Sequence, residues 1–253
     1  MAIQGGPGSY SPAARIRFEA IGEAWNLFKA DTGVWLVAGL VAVAVLGAVL
    51  VCVSIFFNLL AGTALNPLLP PGVEVVDIAQ FFALFATATI YNVVMSLVGE
   101  AVAIIVTAGL YRMALRRMRG ERIHAGDLFD IGDVFPQLLL LSIAAGAIVT
   151  VGLFLCVVPG IIAGALLMFA VPLVMDRRMD AMAAIGTSVR TLGTDFLNAV
   201  IFYILLSLIL FAGLLVCCVG IIVTLPLFYL AISIVYRDFF PDQIVQGPQA
   251  PLH

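Results

Sequence analysis

Charge is what this sequence has least of. Only 11% of its 253 residues are Asp, Glu, Lys or Arg, while 63% are hydrophobic. A soluble domain carries roughly a quarter charged residues, so a water-soluble globule is excluded: its surface would lack a polar cover. Twelve basic against 15 acidic residues leave a net charge of -3, which argues against a nucleic-acid binder and its basic footprint. Cysteine is sparse too. Cys52, Cys156, Cys217 and Cys218 contain no CxxC spacing of the metal or redox kind. They read as buried apolar thiols, with a bridge from Cys156 to the Cys217–Cys218 pair as the alternative. The chain has no Gly-Lys-Ser/Thr phosphate loop and hence no visible ATPase motor. Its apolar stretches hold no Ser/His or Cys/His set and no carboxylate pair, which argues against an enzyme. No catalytic residue, cofactor or metal is expected.

What is present is long apolar runs. Val34 to Ala61 is uncharged for 28 residues, Ile78 to Gly99 for 22, Val134 to Met175 for 42 and Phe196 to Tyr236 for 41. A span of the ~30 Å hydrocarbon layer needs ~20 residues, and 42 residues of helix would reach about 63 Å. Each of the two longest runs therefore holds two spans and a turn. The turn signals are Pro159-Gly160 and Gly220. The expected fold is all-α: six transmembrane helices at about 34–60, 81–111, 137–157, 161–175, 197–216 and 221–236, arranged as three helical hairpins.

The basic residues set the orientation. Arg15, Arg17 and Lys29 precede the first span. Arg112, Arg116, Arg117, Arg119 and Arg122 follow the second, Arg177, Arg178 and Arg190 the fourth, and Arg237 the sixth. With six spans all of them fall on one face, and the positive-inside rule places both termini in the cytoplasm. The first apolar run starts too late and is too long for a cleavable signal. Residues 1–13 and 239–253 read as flexible tails around a single membrane domain, 14–238.

Spans 3–4 and 5–6 read as a parallel repeat. Gly152, Cys156 and Gly160 in one correspond to Gly213, Cys217 and Gly220 in the other, and Arg177 and Arg237 each follow 17 residues after the last of these glycines. Residues 14–31 carry Ile16, Phe18, Ile21, Trp25 and Phe28 at helical spacing, as an amphipathic interfacial helix does. Residues 180–195, with Met182, Ile185, Val189 and Leu192, predict another, and Phe129, Ile131 and Phe135 a short third.

Glu100 is the one Asp, Glu, Lys, Arg or His inside the six spans. At ~100° per residue it shares a helix face with Asn92, Ser96 and Thr107, a stripe expected to face the bundle interior. It reads either as a protonatable or cation-coordinating site, or as a protonated side chain hydrogen-bonded to a neighbouring helix; a helix break at Gly99 is a third reading. His124, Asp127, Asp130 and Asp133 have three-residue spacing, which suits a helix start or an offset to the nearby arginines better than a metal. Arg112, Arg116, Arg117, Arg119 and Arg122 are candidate contacts for anionic lipid headgroups, with topology control as the plainer role. Pro172 and Pro226 lie inside the returning spans, either kinking them and freeing carbonyls or serving packing.

Several short motifs occur in order along residues 14–238. They are Arg116 to Arg122 with Arg119-Gly120-Glu121, Asp127-Leu128-Phe129, Val158-Pro159-Gly160-Ile161, Pro172 to Asp176, Ser188 within Ala184–Arg190, Val219-Gly220, Pro226-Leu227 and Tyr236-Arg237. In this the chain resembles bacterial polytopic membrane proteins of the YciC type and the membrane domain attached to some glycerophosphodiester phosphodiesterases. The resemblance implies a multi-pass protein of the bacterial plasma membrane. The catalytic barrel of those phosphodiesterases has no counterpart here. The expected function is a non-catalytic membrane module that organises lipid or a partner protein in the membrane. The alternative is a carrier for a small amphiphilic or lipid-like solute using Glu100.

Overall fold

The computed structural model describes residues 14–65, 78–130, 132–216 and 219–241, with few side chains described between 57 and 101. These residues form α1 (Glu19–Ala30), α2 (Thr32–Leu65), α3 (Ile78–Met118), a single 3-10 turn (Ala125–Phe129), α4 (Phe135–Leu155), α5 (Val157–Leu167), α6 (Ala170–Arg177), α7 (Ala181–Gly193), α8 (Phe196–Leu215) and α9 (Val219–Phe239). There is no strand among the described residues. Among the described residues five stretches are long and apolar enough to cross a membrane: Thr32–Phe56, Phe135–Gly152, Val157–Arg177, Phe196–Leu215 and Gly220–Phe239. The protein is an all-helical membrane protein.

The chain divides into two compact units, Ala44–Ala103 and the remainder. In the smaller unit, a methyl group placed on Gly99 of α3 would lie 3.9 Å from Leu50 of α2, an ordinary contact. In the larger unit α4 packs along α5, α8 along α9, and α5 against α8; α1 lies on α9, and α7 against α4, α5 and α6. Trp35, Phe169, Phe202, Tyr236, Phe239 and Phe240 are its largest fully buried side chains.

Both expected turns move toward the N-terminus. α4 ends at Leu155, Cys156 is extended (φ -173°, ψ 155°), and α5 starts at Val157. Pro159 and Gly160 therefore sit in the first turn of α5, where a proline loses no helical hydrogen bond. Gly220 likewise lies in the first turn of α9. These glycines serve helix contact rather than turning. A Cβ on Gly152 would come 3.0 Å from the Gly160 Cα, and one on Gly220 would come 2.3 Å from the Gly213 carbonyl oxygen. Small residues at such points let backbones approach.

The fourth expected span is broken at Met168–Phe169, between α5 and α6. Pro172 accounts for the break: it has no N–H to give the carbonyl four residues earlier, and its ring crowds that carbonyl. The Met168 carbonyl instead accepts the Tyr111 hydroxyl at 3.4 Å. Ser188 of α7 stitches the gap from the side, donating to the Leu166 carbonyl at 2.6 Å and accepting the Phe169 N–H at 3.3 Å. In α9 the helix runs on through Pro226. The Ile222 carbonyl it frees lies against α2 at Gly39, where a Cβ would sit 2.1 Å from the Ile222 oxygen.

Helices form at two of the three segments expected to be amphipathic, with corrections to their packed faces. In α1 the packed face is Ala20, Ala24 and Phe28, whereas Trp25 is 44% exposed and Phe18 38%. In α7 the packed face is Ala181, Ala184, Ile185, Ser188, Thr191 and Leu192, with Met182 and Val189 exposed. Alanines sit in both packed faces beside Phe28, Ile185 and Leu192, while Trp25, Met182 and Val189 are left exposed. The third expected segment is the 3-10 turn with Phe129 exposed; Ile131 lies outside the described residues. α9 continues past its expected end through Arg237 and Asp238 because both are paired: Arg237 with Glu23 at 2.8 Å, Asp238 with Arg17. The expected C-terminal tail also starts later, since Phe239 and Phe240 are buried against Phe169, with ring centroids at 5.6 and 6.2 Å.

Candidate functional site

α3 ends in arginines, which suit the negative end of a helix dipole. The structure assigns most of them carboxylate partners. Arg112 lies 3.7 Å from both Asp130 and Asp133. Arg116 meets Asp127 at 2.8 Å, Asp130 at 3.0 Å and Glu121 at 3.8 Å. Arg117 pairs with Asp31, and Arg119 with Asp176. The Asp176 side chain is fully buried and also accepts the Tyr236 hydroxyl at 3.1 Å. Arg178, just after α6, pairs with Asp133. Together they enclose a polar cavity of about 300 Å³ lined by Arg112, Arg116, Arg119, Arg178, Glu121 and Asp176. The four arginines have Glu121, Asp127, Asp130, Asp133 and Asp176 as partners, although Arg112 reaches its two only at 3.7 Å and its buried Nη1 has no hydrogen-bond partner among the described residues. Asp127 also accepts the His124 N–H at 2.9 Å. The aspartates of the His124–Asp133 segment thus serve the arginines and the turn.

A second ionic group ties α1 to the end of α9. Arg17 bonds Asp238 through Nε at 2.9 Å and lies 3.7 Å from Glu23, which Arg237 also holds. The Asp238 carboxylate keeps the Arg17 pKa above its usual value.

Of the five arginines read from the sequence as headgroup contacts, four are committed in this way. Arg122 is exposed and has no carboxylate partner among the described residues. The same is true of Arg15, Lys29 and Arg190, the last two on the interfacial helices α1 and α7. Local spacing could not have shown this, because Arg117 finds Asp31 and Arg119 finds Asp176 far away in the chain.

Asn92, Ser96 and Glu100 lie on α3, but their side chains are outside the described residues. The α3 helix runs unbroken through Gly99 and Glu100, which removes the reading of a break there. Thr107, the fourth member of the stripe, lies with its hydroxyl 3.0 Å from that of Tyr229 in α9. Tyr111, one turn on, meets the Tyr229 ring edge-on at 4.9 Å. Thr107 therefore belongs to a hydroxyl cluster joining α3 to α9. Cys156 is exposed; Cys217 and Cys218 lie outside the described residues. Among the described residues no three His, Cys, Asp or Glu side chains gather as metal ligands.

Sequence reasoning missed two features. One is Ser188 as the stitch across the α5–α6 break, for which a hydroxyl on the packed face of α7 was the available signal. The other is an aliphatic furrow between α4, α5 and α7.

Two curated proteins described only as uncharacterised, Rv2560 of Mycobacterium tuberculosis and Mb2590 of Mycobacterium bovis, are each 27% identical to this chain over 141 residues. The match covers 49% of this chain and 43% of each relative, so it spans under half the length of the proteins it matches. No family model and no solved structure matches the chain.

Proposed function

We propose that the protein is a non-catalytic membrane module that gathers anionic lipid at its cytoplasmic interface. In this reading six spans form three hairpins with both termini in the cytoplasm of a bacterial plasma membrane. The second and third hairpins form a parallel repeat, in keeping with the resemblance to YciC-type proteins and the phosphodiesterase membrane domain. The observation that carries the reading is the shared build of α1 and α7. Each packs a face built around alanines (Ala20 and Ala24; Ala181 and Ala184), leaves bulky apolar side chains exposed beside it (Phe18 and Trp25; Met182 and Val189), and carries an exposed cation with no carboxylate partner among the described residues (Lys29; Arg190). Apolar contact plus attraction to anionic headgroups is how an interfacial helix binds a bilayer. The two helices also share Ala20 and Ala184, Ile21 and Ile185, Gly22 and Gly186, and then Asp31 and Asp195, at one constant offset.

The test is electron spin resonance of spin-labelled phosphatidylglycerol and phosphatidylcholine around the reconstituted protein. Enrichment of phosphatidylglycerol in the motionally restricted shell, unchanged by Glu100→Gln, is the expected result; equal association of both lipids would overturn the reading. A second reading, a carrier for an amphiphilic solute, draws support from the continuity of α3 through Glu100. It requires uptake into proteoliposomes that Glu100→Gln abolishes.

A further inference from the structure

The furrow has a volume of about 340 Å³, and its walls include Ile148, Ile162, Ala163, Leu166, Ile185 and Val189. All its lining residues are aliphatic. It follows α5 from Pro159 to Leu167, about 12 Å of helix. One end thus lies among spanning helices and the other on α7, the interfacial helix. An α-helix with its side chains is ~10–12 Å across, too wide to enter. A volume at the low end of the ~300–1,000 Å³ of ligand pockets suits a single flexible apolar chain.

Charge supplies the other half of the argument. Arg190 follows the wall residue Val189 directly, is exposed, and has no carboxylate partner among the described residues. Of the acids at the ends of α7, Asp195 is engaged by the Ile16 N–H at 2.8 Å and by Asn198 at 2.7 Å. Asp180 lies ten residues before Arg190, about 15 Å along the helix.

We infer that this furrow and Arg190 form a site for one anionic phospholipid, with an acyl chain laid along α5 and the phosphate on the Arg190 guanidinium. The inference rests on the lipid-module reading and assigns it a discrete site. An aliphatic chain entering an aliphatic furrow removes surface from water or fills a void that bulk lipid packs poorly. A guanidinium matches phosphate geometry with paired donors. The furrow holds the chain, but the guanidinium supplies the choice, because every neighbouring lipid offers the same chain.

The test uses the full chain in nanodiscs of phosphatidylglycerol and phosphatidylcholine in equal amounts, released gently into a native mass spectrometer. Wild type should retain one phosphatidylglycerol. Arg190→Gln should still retain a lipid but lose its preference for phosphatidylglycerol about fivefold, the worth of one interfacial cation. Ala163→Phe, which fills the furrow, should retain none. Equal retention in all three proteins would overturn the site, as would a lipid-free dimer that Ala163→Phe breaks. If Ala163→Phe fails to fold, Arg190→Gln decides, since its side chain is exposed. Should the spin-label experiment show phosphatidylglycerol enrichment while wild type retains no discrete lipid, the site falls and the module reading stands. If both fail, both fall.

Discussion

The end of α3 and the surfaces of α1 and α7 use basic residues in opposite ways. At the end of α3, Arg112, Arg116, Arg117 and Arg119 are all held by carboxylates drawn from the α1–α2 junction, the 3-10 turn and α6. On the interfacial helices the cations are few, but Lys29 and Arg190 are exposed and unpaired among the described residues. The comparison teaches that a cluster of arginines in sequence is not a cluster of available charge. A buried carboxylate needs a cation within reach, and once it has one, that cation no longer attracts a headgroup. The dense group therefore fastens the fold, and the sparse group is left exposed.

The sharpest way to break this contrast is Arg119→Ala. It removes the ion-pair partner of the fully buried Asp176 carboxylate, which the Tyr236 hydroxyl alone does not replace. Breaking a buried pair by removing one partner costs about 3–5 kcal/mol, so unfolding in detergent should begin at a much lower temperature. Asp176→Leu added to Arg119→Met should recover most of that loss, because apolar replacement of both partners removes the stranded charge. Phosphatidylglycerol enrichment of the surviving folded Arg119→Ala protein should match wild type. A stable variant with weakened lipid preference would reverse the roles assigned to the two groups.

Arg117→Gln should act in the same direction with a smaller effect. Arg117 and Asp31 are each about one-third exposed (28% and 30%), so water shares in solvating both, and pairs of that kind contribute about 1 kcal/mol or less. The thermal midpoint should fall slightly, and the fall should shrink in high salt. A loss as large as that of Arg119→Ala would mean that burial does not rank the pairs.

The helices themselves were legible, because runs of 22 to 42 uncharged residues leave a chain no other way to satisfy its backbone in lipid. The amphipathic helices α1 and α7 were legible from spacing, but their packed faces were not. Trp25 offers far more apolar surface than Ala20 and Ala24, yet the alanines are buried and Trp25 is not. Next to a bilayer, close backbone approach selects small residues and the large ones can face lipid. Pro159-Gly160 looked like a turn for a similar reason: the same two residues also suit a helix start and a tight contact. Local ionic partners such as Arg116 and Asp127 could be anticipated, whereas Arg119 and Asp176 meet only through the fold. In the candidate stripe, Thr107 was read as interior and lies against Tyr229; Glu100, Asn92 and Ser96 remain legible only as positions on α3.

The smallest effect expected is the one that best separates the two groups. Lys29→Gln changes an exposed side chain in the last turn of α1. It removes only a favourable term with the helix dipole, a few tenths of a kcal/mol, so the thermal midpoint should scarcely move. Its lipid effect should exceed its stability effect: phosphatidylglycerol enrichment in the restricted shell should drop by up to about fivefold. Salt distinguishes the mechanism. Between 0.1 M and 1 M the screening length shrinks from about 10 Å to about 3 Å, so wild type and Lys29→Gln should converge in lipid preference. The stability gap between wild type and Arg119→Ala should persist, because Asp176 is out of reach of solvent ions. A Lys29 effect that survives high salt would mean that α1 recognises lipid by shape or hydrogen bonding rather than by charge.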